Sequence, residues 1–368
     1  MSGLSGPRSA PCGSRMRGRL AAVIAVLVLT AAVLGALQIS SDASNAAASG
    51  RVQHLARLNA AVVRLAQDLE DERDLSAAYA ARRQAGPVPL TLASARAATG
   101  AAVGTVRADA AGIGAGYQPA TVQALGSLLA GITKLRDIRA AVSSAAWPAP
   151  QVIEVYTSAV IAPAITFSAA AGGGTSDARL QGTVTTLAAL LRVENDQSVQ
   201  RAILYAALSA QPPVLAPQEL SRLQQAYAQE ASDLAAFDAS AGTAEQQLFA
   251  NTVAGPAVDR AAAQETLADY EAAARPSAPL TSKAGLDAAT WDRDMGTTIG
   301  DTRMVAGQLA RQITGQANIL KSNAAKTLLL TSTATLALLL VLLISAMLAR
   351  PLRKQHPDTP DGRNVPCR

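Results

Sequence analysis

Aromatic side chains are scarce in this chain, at 3% of 368 residues, and so are cysteine and histidine, with two of each. Each shortage excludes something. Few aromatics, and no basic stripe interleaved with them, remove the stacking platform that nucleic-acid binding uses, so no nucleic-acid partner is expected. Cys12 and Cys367 lie near opposite ends of the chain, which leaves the long middle region without a disulfide and dependent on packing. His54 stands alone on a helical stretch and reads as a solvated helix residue, while His356 lies near the C-terminus. With no histidine cluster and no Glu-x-x-His pair, a His-based metal centre, a catalytic triad and a di-iron bundle are all unsupported. No Walker-type Gly-Lys-Ser/Thr is present, and Gly112-Ile-Gly-Ala-Gly116 follows a helix, not a strand, so it reads as a loop. No cofactor, metal or catalytic role is expected.

What is abundant is alanine and leucine in helical spacing, and this favours an all-α fold. Two apolar runs are long enough to cross a bilayer core of ~30 Å. The first, residues 20–39, follows a basic N-terminus (1–19) carrying Arg8, Arg15, Arg17 and Arg19. It reads as an uncleaved anchor; a cleaved signal peptide ending near Ala47 or Ala48 is the alternative. The second, 327–349, is followed at once by Arg350, Arg353 and Lys354. Positive charge on the outer ends of both runs predicts a two-pass cell-membrane protein with both termini cytoplasmic and residues 40–326 outside. The tail, 350–368, is Pro-rich and aperiodic and reads as disordered.

Between the two runs, breakers divide the chain into helices. The expected elements are 51–84, 91–111, 119–144, 152–171 with a kink at Pro163, 176–209, 217–239, 243–253, 256–274, and a final helix from Ser282 into the second apolar run. Leu55, Leu58, Val62, Leu65 and Leu69 form a core stripe, and continuing its period carries Glu72, Arg73, Ser76 and Tyr79 inward. Leu180, Val184, Leu187 and Leu191 do the same for Glu194, Ser198 and Arg201. A charged residue in such a stripe needs a partner, either another side chain or a ligand. The charge run Asp68-Leu-Glu-Asp-Glu72 reads otherwise as a solvated face.

Leu69-Glu-Asp-Glu-Arg-Asp-Leu-Ser-Ala-Ala-Tyr79 and Glu194-Asn-Asp-Gln-Ser-Val-Gln-Arg-Ala-Ile-Leu204 resemble the two signature helices of the nitrate- and nitrite-sensing (NIT) domain of actinobacterial sensor histidine kinases. Val253-Ala-Gly-Pro-Ala-Val-Asp-Arg260 and Trp291-Asp-Arg-Asp-Met295 add to the resemblance, which spans roughly residues 51–325. It implies extracytoplasmic antiparallel helical bundles, two stacked four-helix bundles, that bind nitrate, nitrite or a similar small anion and signal through the last helix. On this reading Arg73, Arg201 and Arg260 bind the anion, and Glu72, Glu194, Ser198 and Ser76 form the supporting polar layer. Arg350-Pro-Leu-Arg353 resembles the start of a HAMP linker, but no kinase segment follows. The expectation is therefore a truncated sensor kinase, or a chain that acts as a homodimer or by pairing laterally with an intact sensor kinase. The alternative is a ligand-free interaction bundle whose Glu/Arg pairs fix helix register and which modulates a membrane partner.

Overall fold

The computed structural model describes residues 12–82, 87–280 and 286–349. The basic segment before Cys12 and the tail with its HAMP-like opening therefore lie outside the described residues. Among those residues the chain is all-α, without a strand. The helices are α1 (Cys12–Ala81), α2 (Leu90–Ala110), α3 (Pro119–Ser143), α4 (Ala149–Tyr156), α5 (Ala162–Ala170), α6 (Ala178–Ser209), α7 (Pro217–Ser240), α8 (Thr243–Thr252), α9 (Pro256–Ala274) and α10 (Ala288–Ala349). A single π-turn, Thr157–Ile161, joins α4 to α5.

The chain divides into two compact units. One is drawn from Met1–Ala48 and Leu320–Arg368. Its two helical segments each contain a strongly apolar window with none of it buried, and Val26, Leu29, Leu34, Leu330, Leu336 and Val341 are all more than half exposed. Apolar surface of that length is what a bilayer covers. Within this unit the segments meet over small and polar residues. A Cβ placed on Gly35 would lie 2.4 Å from Thr335 Cγ2, and the Thr331 hydroxyl donates to Asp42 Oδ2 at 2.7 Å. A third stretch, Ala149–Gly174, is also long and apolar enough to cross a membrane, but half of its window is buried inside the second unit, where it serves as core.

The second unit, Ser49–Ile319, is the helical bundle. Each expected stripe is buried: Leu58, Val62, Leu65 and Leu69 on α1; Leu180, Leu187 and Leu191 on α6; Trp291, Met295, Ile299 and Leu309 on α10. Helices α2 to α5 pack together, and α6 packs on α7, which packs on α9. The kink expected at Pro163 takes the form of the π-turn. Proline has no N–H for the carbonyl four residues back, which is Ala159, and its ring crowds that carbonyl. The helix widens, so that Ala162 N–H donates to Thr157 O five residues back. Gly131 on α3 provides the space, because a Cβ there would sit 2.1 Å from the Ala159 carbonyl oxygen.

Two sequence expectations fail within this unit. His54 is not a solvated residue: its Nδ1 pairs with Tyr117 Oη at 3.0 Å and its Nε2 with the Asp109 carbonyl at 2.8 Å. The loop at Gly112 folds back against the ring, which brings both partners to it. Nor is the run at 68–72 a solvated face, apart from the partly exposed Asp71. Asp68, Glu70, Glu72 and Asp74 are all buried, because α1 is surrounded here by partners from α2, α3, α6 and α10.

Candidate functional site

Helical phase places Arg73 on the buried side of α1, and its side chain is wholly inaccessible to solvent. Its Nε donates to Asp74 Oδ1 at 3.0 Å and its Nη2 to Ser198 Oγ at 2.7 Å. Nη1 donates to Thr157 Oγ1 at 3.1 Å and to Asn195 Oδ1 at 3.3 Å. The π-turn is what presents Thr157, and α6 presents Asn195 and Ser198. The Ser198 hydroxyl in turn donates to Asp74 Oδ2 at 3.0 Å.

Asp74 also reaches the second arginine. Arg201 Nε lies 3.6 Å from Asp74 Oδ2 and donates to Asp292 Oδ1 of α10 at 3.0 Å. Arg201 Nη1 lies 3.6 Å from Asp71 Oδ1. The Trp291 indole N–H donates to the Arg201 carbonyl at 3.1 Å, which pins α10 against α6 at this level.

A third guanidinium completes the layer. Arg303 Nη1 donates to both oxygens of Asp71, at 3.1 and 3.0 Å, and Nε donates to Glu194 Oε1 at 2.7 Å. Its Nη2 donates to the Gln67 carbonyl at 3.2 Å and to Glu70 Oε2 at 3.0 Å. Arg73, Arg201 and Arg303 are thus linked through two shared carboxylates, Asp74 between the first pair and Asp71 between the second. Glu70, Asp71, Asp74, Glu194 and Asp292 face these three cations. Burial, reinforced by Glu194, raises the Glu70 carboxyl well above its ordinary range, and burial also raises Glu194 and Asp74. For Arg201 burial acts the other way, but Asp74, Asp292 and Asp71 outweigh it and hold the guanidinium charged. The outer members of the layer are Asp71 and Asp292, with 38% and 34% of their side chains exposed.

The expected site residues separate into three groups. Arg73, Arg201, Ser198 and Glu194 belong to the layer just described. Glu72 does not share their partners. It faces α3 and α4, where Arg139 donates to both its oxygens at 2.7 Å and the Tyr156 hydroxyl donates to Oε1 at 2.7 Å. Ser76, fully buried, lies one turn further along α1 from Glu72. Arg260 also stands apart, half-exposed and bound through Nε and Nη2 to Asp294 at 3.0 and 2.7 Å. Asp294 and Asp292 are two residues apart on α10, about 200° of rotation, so these two aspartates serve different faces. Both glutamates and Arg201 pair between helices, Glu72 with Arg139, Glu194 with Arg303 and Arg201 with Asp292, whereas Arg73 pairs with Asp74 of its own helix. Sequence reasoning missed Glu70, Asp71, Asp74, Asp292 and Arg303. The last carries a signal, being the next step of four after Trp291, Met295 and Ile299.

A family model described as nitrate and nitrite sensing matches residues 64–314. No curated protein matches the chain. Among solved structures, that of the NasR transcription antiterminator superposes with a TM-score of 0.63 over 78% of this chain and 80% of its own, at 12% identity. That likeness shows a shared fold.

Proposed function

Since the chain belongs to the nitrate- and nitrite-sensing family, we propose that it binds nitrate, nitrite or a similar small oxyanion at the Arg73–Arg201–Arg303 layer and signals through α10. The observation that carries this reading is the sharing of Asp74 by Arg73 and Arg201, and of Asp71 by Arg201 and Arg303. The planar fork of an arginine suits planar, delocalised oxyanions. A carboxylate and a nitrate present the same kind of edge to it. Adding an anion to five carboxylates and three guanidiniums would be costly, but replacing one carboxylate leaves the charge unchanged. Asp71 is the member to be replaced, because it is the most exposed of the five that ring the arginines. Its release would free Nη1 of both Arg201 and Arg303 for the incoming oxyanion. Arg303 and Asp292 both belong to α10, so exchange at Asp71 alters how that helix is held.

Calorimetric titration of the full-length protein with nitrate and nitrite, with sulfate and chloride as controls, tests this. Lysine at Arg201 or Arg303 keeps the charge and loses the fork. Each hydrogen bond to a charged group contributes about 1.5–3 kcal/mol, so either variant should weaken binding about tenfold to over a hundredfold. Asp71→Asn removes the competitor and should tighten it. Equal affinity in all four proteins, with folding verified by circular dichroism, would overturn the proposal.

One observation favours the second reading, a ligand-free bundle whose ionic layer sets helix register: Arg73 already makes four hydrogen bonds within the protein. On that reading Asp71→Asn lowers stability, and nitrate leaves the unfolding temperature of every variant unchanged.

A further inference from the structure

Helix α7 packs on α6 and α9, and towards each it presents a carboxylate that meets a second carboxyl group. On the α6 side Asp233 is buried. Its Oδ1 accepts from Arg192 Nε at 2.9 Å and its Oδ2 from Gln229 Nε2 at 3.1 Å. With both oxygens occupied by donors, one of them a guanidinium, Asp233 acts as an acceptor only. Asp196 of α6, also buried, is hydrogen-bonded to it. Two carboxyl groups hydrogen-bond to one another only where one keeps its proton, and the donors on Asp233 leave that proton to Asp196. The second carboxylate is Glu230, which accepts from Gln197 Nε2 at 2.8 Å and from Gln200 Nε2 at 2.7 Å, one on each oxygen. It is faced by Glu265 of α9.

We propose that α7 is a proton-released element of the bundle: Asp196 and Glu265 in their neutral forms hold it against α6 and α9, and loss of their protons sets like charges across both contacts and frees it. The surrounding charges agree. Glu154 on α4 and Glu219 on α7, which line one hollow with Asp196, and Asp269 on α9 add negative potential. Arg222 of α7 and Arg260 of α9 are directed elsewhere, to the Pro150 carbonyl at 3.4 Å and to Asp294 at 2.7 Å. Burial, then Asp233 and Glu230, push Asp196 up to about 8, and burial, then Glu230, does the same for Glu265. Both values lie above the ordinary ones, so the hold is complete in acid and is lost as pH rises through about 8. Asn195, hydrogen-bonded to Asp196, also accepts from Arg73 Nη1 at 3.3 Å. The release therefore acts one residue away from the arginine layer.

The test is amide hydrogen exchange on the full-length protein in detergent micelles, followed from pH 6 to pH 9 and corrected for the intrinsic effect of pH on exchange. Each acid that ionises should lower protection of the α7 amides about tenfold between pH 7 and pH 9, so about a hundredfold for the two together. At pH 9 α7 should be less protected than α1, α6 and α10. Asn at 196 and Gln at 265 keep the shape and the donor of the neutral acids with no proton to lose. Asp196→Asn and Glu265→Gln should therefore each retain a fall of about tenfold, and the double variant none, with circular dichroism as the folding control. Protection of α7 that is independent of pH in the unsubstituted protein would overturn the proposal. So would an undiminished fall in the double variant, or α7 opening at pH 9 only together with α1, α6 and α10.

Discussion

Glu72 receives three hydrogen bonds from two other helices while wholly buried: two from Arg139 and one from Tyr156. Removing it strands a guanidinium and a phenol in the interior, and breaking a buried pair by losing one partner costs about 3–5 kcal/mol. Arg139 retains partial access to water, so Glu72→Ala should cost near the lower end, about 3 kcal/mol in denaturant unfolding, and leave anion affinity untouched. A large loss of anion affinity in a folded Glu72→Ala protein would return this residue to the site. Asp196 and Glu265 give a pH signature. Burial, aided by Asp233 for the first and Glu230 for both, pushes each to about 8 from ordinary values of 3.8 and 4.5. Folding thus favours their protonated forms. The stability this confers is full below the ordinary values and is lost as pH rises towards about 8. The thermal midpoint should fall between about pH 5 and pH 8.5, less steeply in Asp196→Asn, and a rising midpoint would contradict the assignment. At this scale Arg73 and Arg201 are legible in the sequence because each sits in phase with a leucine stripe. Asp71 and Asp74 are not: nothing in a run of acids tells a solvated helix face from one packed against other helices.

Among the elements, the π-turn does the positioning. It exists because Pro163 cannot pair with Ala159, and it turns Thr157 towards Arg73. The proline announces an irregularity but not its kind, since a kink and a widened turn both relieve the same clash. Gly131 is what permits this one, and only the packing of α3 on the turn reveals the dependence. Gly131→Ala would press a methyl onto a backbone oxygen that cannot rotate away. Overpacking of this sort costs about 1–3 kcal/mol, and the variant should lose that much in chemical unfolding. Gly126→Ala, on the same helix with open space at its Cβ, should be neutral or mildly stabilising and serves as the control. Equal stability of the two would show that the turn can relax.

At the level of the whole molecule, the two apolar segments and their basic flanks predict orientation. Reporter fusions at Ala10 and Pro360 should both report the cytoplasmic side, and an external signal at Ala10 would refute the two-pass arrangement. Most of the helical plan is legible because proline and glycine mark its joints. The pairing of α1, α6 and α10 through Arg303 is not, since those partners are more than a hundred residues apart. That pairing has a consequence for the form of the response. Arg303 meets Glu194 on α6 and Asp71, Glu70 and the Gln67 carbonyl on α1 with one rigid planar group. Such a group does not slide by degrees: a displacement of α10 large enough to lose one of these contacts misaligns the others. If the proposed anion exchange occurs, the last helix would be seated or unseated with no half-way register, and a graded rise in ligand would be read out as a changing proportion of two discrete forms.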